Sequence, residues 1–122
     1  MTREFSISVI DDDESFRLAL IGSLRSLGYR ARGFMSAEAF LSGDGRGTSD
    51  CVITDLHMPG MGGLGLIRQL TAQASTLPVI MVTGHPEPGL EAKVKAGGAV
   101  CLLRKPFETD ALIGCLEEAL KT

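Results

Sequence analysis

No apolar run in this 122-residue chain approaches the length of a membrane span. No basic start leads into an apolar stretch, so no signal peptide is read and a cytoplasmic location is expected. Positive charge is not in excess either. Twelve Lys and Arg against 15 Asp and Glu leave a formal net charge of −3, which argues against a free nucleic-acid binder. No DNA-reading motif is present, so neither membrane nor direct nucleic-acid binding is expected. Cysteine is scarce. Cys51, Cys101 and Cys115 show no CxxC or CxxH spacing, which argues against zinc. They read as small buried apolar residues of a reducing compartment. No internal repeat, linker or second domain is read within these residues. The chain reads as a single domain over residues 1–122, long enough to bury a core without staples.

What is present is a set of short apolar runs, each followed by polar chemistry. Phe5–Ile10 alternates with serines and reads as a strand. Phe16, Leu20, Leu24 and Leu27 then repeat at helical spacing, with Asp13 as the expected N-cap and Gly28 as the stop. Tyr29–Phe34 is a second strand, and Ser36 is placed to cap a brief helix holding Ala39, Phe40 and Leu41. Gly43 to Gly47 reads as a flexible connection. Cys51–Asp55 is a third strand; Leu66, Ile67 and Leu70 mark the third helix. Leu77–Val82 is apolar throughout, as a strand covered on both faces should be. Leu90 and Val94 mark a short fourth helix that ends at Gly97-Gly98. Ala99–Leu103 is a fifth strand, and Leu112, Cys115, Leu116 and Ala119 face inward on a fifth helix. Strands alternating with helices in this way predict an α/β fold with a parallel sheet and helices on both faces.

The polar groups fall at the ends of these runs. Asp11-Asp12-Asp13 follows the first strand, Asp55 ends the third, Thr83-Gly84 follows the fourth and Lys105-Pro106 follows the fifth. The C-terminal edge of an open parallel sheet is where ligands bind. Carboxylates meeting there repel one another and invite a divalent cation. With a hydroxyl and an amine added, the edge reads as a site that takes up a phosphoryl group.

The motifs Val9 to Ser15, Asp55 to Gly63, Val82 to His85 and Lys105-Pro106-Phe107 occur in order and cover nearly the whole length. In these motifs the chain resembles a CheY-like receiver domain of a two-component response regulator. The resemblance implies a flavodoxin-like, doubly wound sheet of order 2-1-3-4-5. It makes Asp55 the phosphoacceptor, served by a sensor histidine kinase, a phosphotransfer protein or a small phosphodonor. It gives Asp11, Asp12, Asp55 and the backbone carbonyl of His57 to Mg²⁺, with Mn²⁺ as an alternative ion. Thr83 and Lys105 become the switch and catalytic residues that meet the phosphoryl oxygens, and the bond before Pro106 becomes cis. The chain would not turn over a substrate; it would catalyse its own aspartyl phosphorylation and dephosphorylation. Phosphorylation would shift the face made by the fourth helix, fifth strand and fifth helix, acting on an output domain or protein target, with a phosphorylation-dependent homodimer as one form of assembly. Pro86, Pro88 and Gly89 weaken the start of the fourth helix, which suits a mobile element.

Three further expectations come with that resemblance. The family position three residues before the lysine usually holds Tyr or Phe, and here it is Leu102. Either Leu102 swings with less bulk than a ring, or signalling runs mainly through the loop before the fourth helix. His57 and His85 are expected at the rim of the site, tuning water access and the lifetime of the phosphoryl group. The neighbourhoods of His85 and of Ala99-Val100 resemble receivers that precede LuxR-type helix-turn-helix domains. The rival readings are an aspartyl phosphatase of the haloacid-dehalogenase type, with Asp11 as nucleophile, and a receiver-like module that no longer uses phosphate.

Overall fold

In the computed structural model, which describes residues 4–43 and 45–121, five parallel strands form one sheet of order β2-β1-β3-β4-β5. The strands are β1 (Ser6–Ile10), β2 (Arg30–Phe34), β3 (Cys51–Asp55), β4 (Val79–Thr83) and β5 (Cys101–Arg104). The connecting helices are α1 (Glu14–Ser26), α2 (Ala37–Ser42), α3 (Gly63–Ala72), α4 (Leu90–Ala96) and α5 (Thr109–Ala119). The expected α/β architecture and strand order are those of the molecule.

Two apolar cores, one per sheet face, hold the layers together. On one face Leu20, Ile21 and Leu24 of α1 and Leu112 and Leu116 of α5 pack on Ile7, Val9, Ile53 and Val82. On the other, Phe40 of α2, Leu66, Ile67 and Leu70 of α3 and Val94 of α4 pack on Ile10, Val52 and Met81. Strands β3 and β4 are buried at every position, because helices cover both sides of them.

The helix ends follow their expected chemistry. The Asp13 carboxylate accepts from the Phe16 amide at 3.2 Å to cap α1, and the Ser36 hydroxyl accepts from the Ala39 amide at 3.0 Å to cap α2. Gly28 takes φ +96° just past α1, a left-handed conformation that glycine adopts without a Cβ penalty.

Strand starts differ from the sequence reading by one or two residues. β4 begins at Val79 because Pro78 has no N–H to give to the ladder. β5 begins at Cys101 because the Ala99 amide is spent on Val94 O, closing the end of α4. Part of the expected flexible connection is a helical turn, Gly45–Thr48; Asp44 of that stretch lies outside the described residues. Two of the three cysteines depart from expectation. Cys51 is a buried free thiol, but Cys101 and Cys115 are bonded as a disulfide. β5 and α5 are neighbours, and their facing sides bring these two Cα atoms to 6.2 Å, inside the span that a disulfide bridges.

Candidate phosphoacceptor site

The strand order builds the site. β1 and β3 are adjacent, with Ile10 beside Thr54, so Asp11 and Asp12 leave the sheet next to Asp55. Within this cluster one oxygen from each of Asp11, Asp12 and Asp55 lies within 4.8 Å of the others. Asp11 and Asp55 are buried, at 1% and 8% exposure, while Asp12 faces solvent. β4 and β5 follow in the sheet, and the Lys105 amide donates to Thr83 O at 2.8 Å, so the hydroxyl and the amine arrive at the same edge.

Lys105 ties the acids together. Its Nζ donates to Asp55 Oδ2 at 2.9 Å and to Asp11 Oδ2 at 3.0 Å. The remaining oxygens are held by backbone amides: Asp11 Oδ1 accepts from Asp13 N at 2.8 Å, and Asp55 Oδ1 accepts from His57 N at 2.9 Å. Burial raises the carboxyl pKa of Asp11; the Asp13 amide and Lys105 pull it back, and the Asp55 charge adds to the rise. Burial on its own would lower the pKa of Lys105, but the hydrogen bonds and charges of Asp55 and Asp11 outweigh it and the ammonium pKa is raised. The triad therefore gathers more negative charge than one ammonium cancels.

A hard divalent cation fits this donor set. All three side chains offer oxygen, they converge within coordination distance, and exposed Asp12 leaves room for retained waters, as Mg²⁺ requires. The fold brings together every acid expected to act at the edge.

The remaining candidates are placed as follows. Thr83 is fully buried, and its Oγ1 accepts from His85 N at 3.0 Å, which leaves the hydroxyl proton to donate. His57 and His85 are exposed, and their ring centroids lie 6.2 Å apart, so the two loops face each other across the edge. The Lys105–Pro106 peptide is cis. Leu102 is half-buried against the core beneath α3 and α4. Asp13 serves as the α1 cap, the job expected of it in place of metal binding.

Two contributors escaped the sequence reading. The Phe16 ring lies 4.0 Å from Lys105 Nζ and stacks edge-on with Phe107, a cation–π contact that orients the amine. Arg17 Nη1 donates to Asp11 O at 2.6 Å and fixes the end of β1. The only signal for either was position in the first turn of α1, directly after the acids.

Comparison with known proteins places this geometry. A family model described as the response regulator receiver domain matches residues 7–117. The transcriptional regulatory protein FixJ of Bradyrhizobium diazoefficiens is 38% identical over 121 residues, covering 99% of this chain and 59% of that protein. The response regulator protein TmoT of Ectopseudomonas mendocina is 36% identical over 119 residues, covering 98% of this chain and 54% of that protein. The chain thus spans a little over half the length of these relatives. Among solved structures, the crystal structure of FixJ-N superposes with a TM-score of 0.89 at 31% identity, covering 98% of this chain and 96% of that one. The response regulator StyR superposes with a TM-score of 0.87 at 34% identity, covering 98% of this chain and 60% of that one. The chain belongs to the response regulator receiver domains, the phosphorylation-dependent switches of two-component signalling.

Proposed function

We propose that this chain accepts a phosphoryl group on Asp55 from a sensor histidine kinase, a phosphotransfer protein or a small phosphodonor. The observation that carries this reading is the Lys105 ammonium bridging Asp55 and Asp11 beside a third carboxylate. An Asp55 carboxylate oxygen attacks phosphorus. The bond from phosphorus to its donor breaks, and the donor leaves with that electron pair. Lys105 then exchanges its Asp55 contact for a phosphoryl oxygen, acting as a compact point charge. The Thr83 hydroxyl turns its free proton to a second phosphoryl oxygen. Asp11, Asp12, Asp55 and the His57 carbonyl would hold Mg²⁺, with Mn²⁺ an alternative; the ion would supply charge neutralisation to an anionic nucleophile meeting an anionic donor. Asp55 suits the nucleophile role better than Asp11. Both acids have each oxygen engaged, but Asp11 is 1% exposed against 8% for Asp55, and the carboxylate of Asp13 is committed to capping.

The new phosphoryl group adds nearly two negative charges and three acceptor oxygens. Its bond to Thr83 draws on the loop that carries His85 and leads into α4. The population of the α4–β5–α5 face shifts and acts on an output domain or protein target in the cytoplasm, by homodimer formation in one form. The relatives described as transcriptional regulators point to control of transcription as the output. Residues 1–122 act as one receiver unit.

The test is to treat the protein with acetyl phosphate and Mg²⁺ and locate the modification by peptide mapping. The expected result is one added phosphoryl group on Asp55, abolished in Asp55→Asn and on removing Mg²⁺. Modification of Asp11 would favour the phosphatase reading, and an unmodified protein would favour a phosphate-independent module.

A further inference from the structure

The disulfide between Cys101 and Cys115 joins the start of β5 to the middle of α5. The two residues are 14 apart in sequence, and the segment they close contains Lys105, Pro106 and Phe107. A covalent tie here restrains both the loop that presents the ammonium and the helix that follows it. Both cysteines are half-buried at the edge of the core formed by Leu103, Leu112 and Leu116. They are close enough to bond, and neither is fully buried. Cys51, by contrast, is fully buried in β3. Burial pushes its thiol up to about 12, so it does not compete in exchange, which requires a thiolate. In a reducing compartment a disulfide is transient and redox-sensing.

We infer that Cys101 and Cys115 form a reversible redox clamp, closed in the oxidised chain and open in the reduced one, that sets how firmly α5 and the Lys105 loop are held to β5. Closure needs a disulfide oxidant such as glutathione disulfide. The thiolate of one cysteine attacks a glutathione sulfur and releases one glutathione thiolate. The second cysteine's thiolate attacks the mixed disulfide and releases the other. Two electrons pass from the protein pair to glutathione, and the two protons of the cysteines pass to the released thiolates. A dithiol reductant reverses both steps and leaves as its own cyclic disulfide. This clamp stands apart from phosphate chemistry, so its test uses no phosphodonor and its failure would leave the Asp55 reading untouched.

The experiment equilibrates the wild-type chain across a series of reduced-to-oxidised glutathione ratios. Each sample is quenched with acid, unfolded and alkylated, then weighed and mapped. In parallel, amide hydrogen exchange is followed for peptides covering 105–116. The expected result is pairwise loss of the Cys101 and Cys115 thiols within one monomer, reversed by reduced glutathione, with Cys51 alkylated throughout. Exchange in α5 should slow by about tenfold or more on oxidation, since opening must then work against a closed loop. Four results would overturn the clamp: thiols that stay free in excess glutathione disulfide, a bond that persists in excess reduced glutathione, a glutathione adduct or intermolecular dimer in place of the internal bond, or a bond that leaves exchange in α5 unchanged.

Discussion

Lys105 is held by three contacts of two kinds: two carboxylates at 2.9 and 3.0 Å and the face of Phe16 at 4.0 Å. Each has a separate physical role. The carboxylates keep the amine charged, and the ring packs against it from the first turn of α1. Cys51 shows the reverse case, a titratable group with no role beyond filling volume. It is wholly buried in β3, and burial pushes its thiol up to about 12. Below pH 9 the thiol is protonated in both folded and unfolded chains, so its contribution to stability is complete. Between pH 9 and about 12 the unfolded chain ionises while the folded one keeps its proton. The unfolded state then binds fewer protons, and stability falls as pH rises through the folded value. Cys51→Ala is therefore expected to flatten the alkaline decline of stability over that window. Urea midpoints at stepped pH check it, and Lys105, whose pKa is also raised, accounts for part of the slope that remains.

At the scale of elements, the start of α3 against the end of β3 decides how accurately Asp55 is placed. The Gly63 amide donates to Leu56 O at 3.1 Å. A Cβ at Gly63 would collide with Met81 Sδ and come within 3.0 Å of Asp55 O. The methionine tail can turn aside, but the Asp55 carbonyl cannot without moving the Asp55 carboxylate. Gly63→Ala is expected to cost about 1–3 kcal/mol, the range of an overpacked core. It should also slow acetyl phosphate labelling of Asp55. A lower urea midpoint with unchanged slope, together with slower labelling, is the outcome to look for; unchanged labelling would show that the helix shifts and the acid does not. This close approach explains what could and could not be read in advance. The strands, the caps at Asp13 and Ser36 and the order of acids, hydroxyl and amine are local patterns, so periodicity and strand-end position revealed them. The contact of Phe16 with Lys105, 89 positions away, has no local pattern. Nor does the pairing of Cys101 with Cys115, because it depends on which sides of β5 and α5 face each other. Strand starts shifted at Pro78 and Ala99, where a missing or already committed N–H overrode apolar composition.

The whole molecule carries a tension that its sheet order creates. Placing β1 beside β3 brings Asp11, Asp12 and Asp55 within 4.8 Å of one another, and Lys105 offsets only part of the repulsion. Ionised Asp11 weighs against folding at neutral pH, because its folded pKa is raised above its unfolded value. Lowering the pH through that folded value would relieve the cost by protonation. A divalent cation held by the three acids would relieve it at neutral pH and, bound only by the folded arrangement, would stabilise the fold by mass action. At a hundred times its Kd the expected gain is about 2.7 kcal/mol. Asp12 separates this effect from general folding stability. It is exposed, so Asp12→Ala should change stability without Mg²⁺ by only about 0.5 kcal/mol while removing most of the Mg²⁺-dependent gain. Thermal midpoints of the wild type and Asp12→Ala, with Mg²⁺ and with chelator, make the comparison. If Mg²⁺ raised both proteins equally, the ion would be binding elsewhere, and the three acids would be a repulsive cluster that Lys105 alone keeps folded.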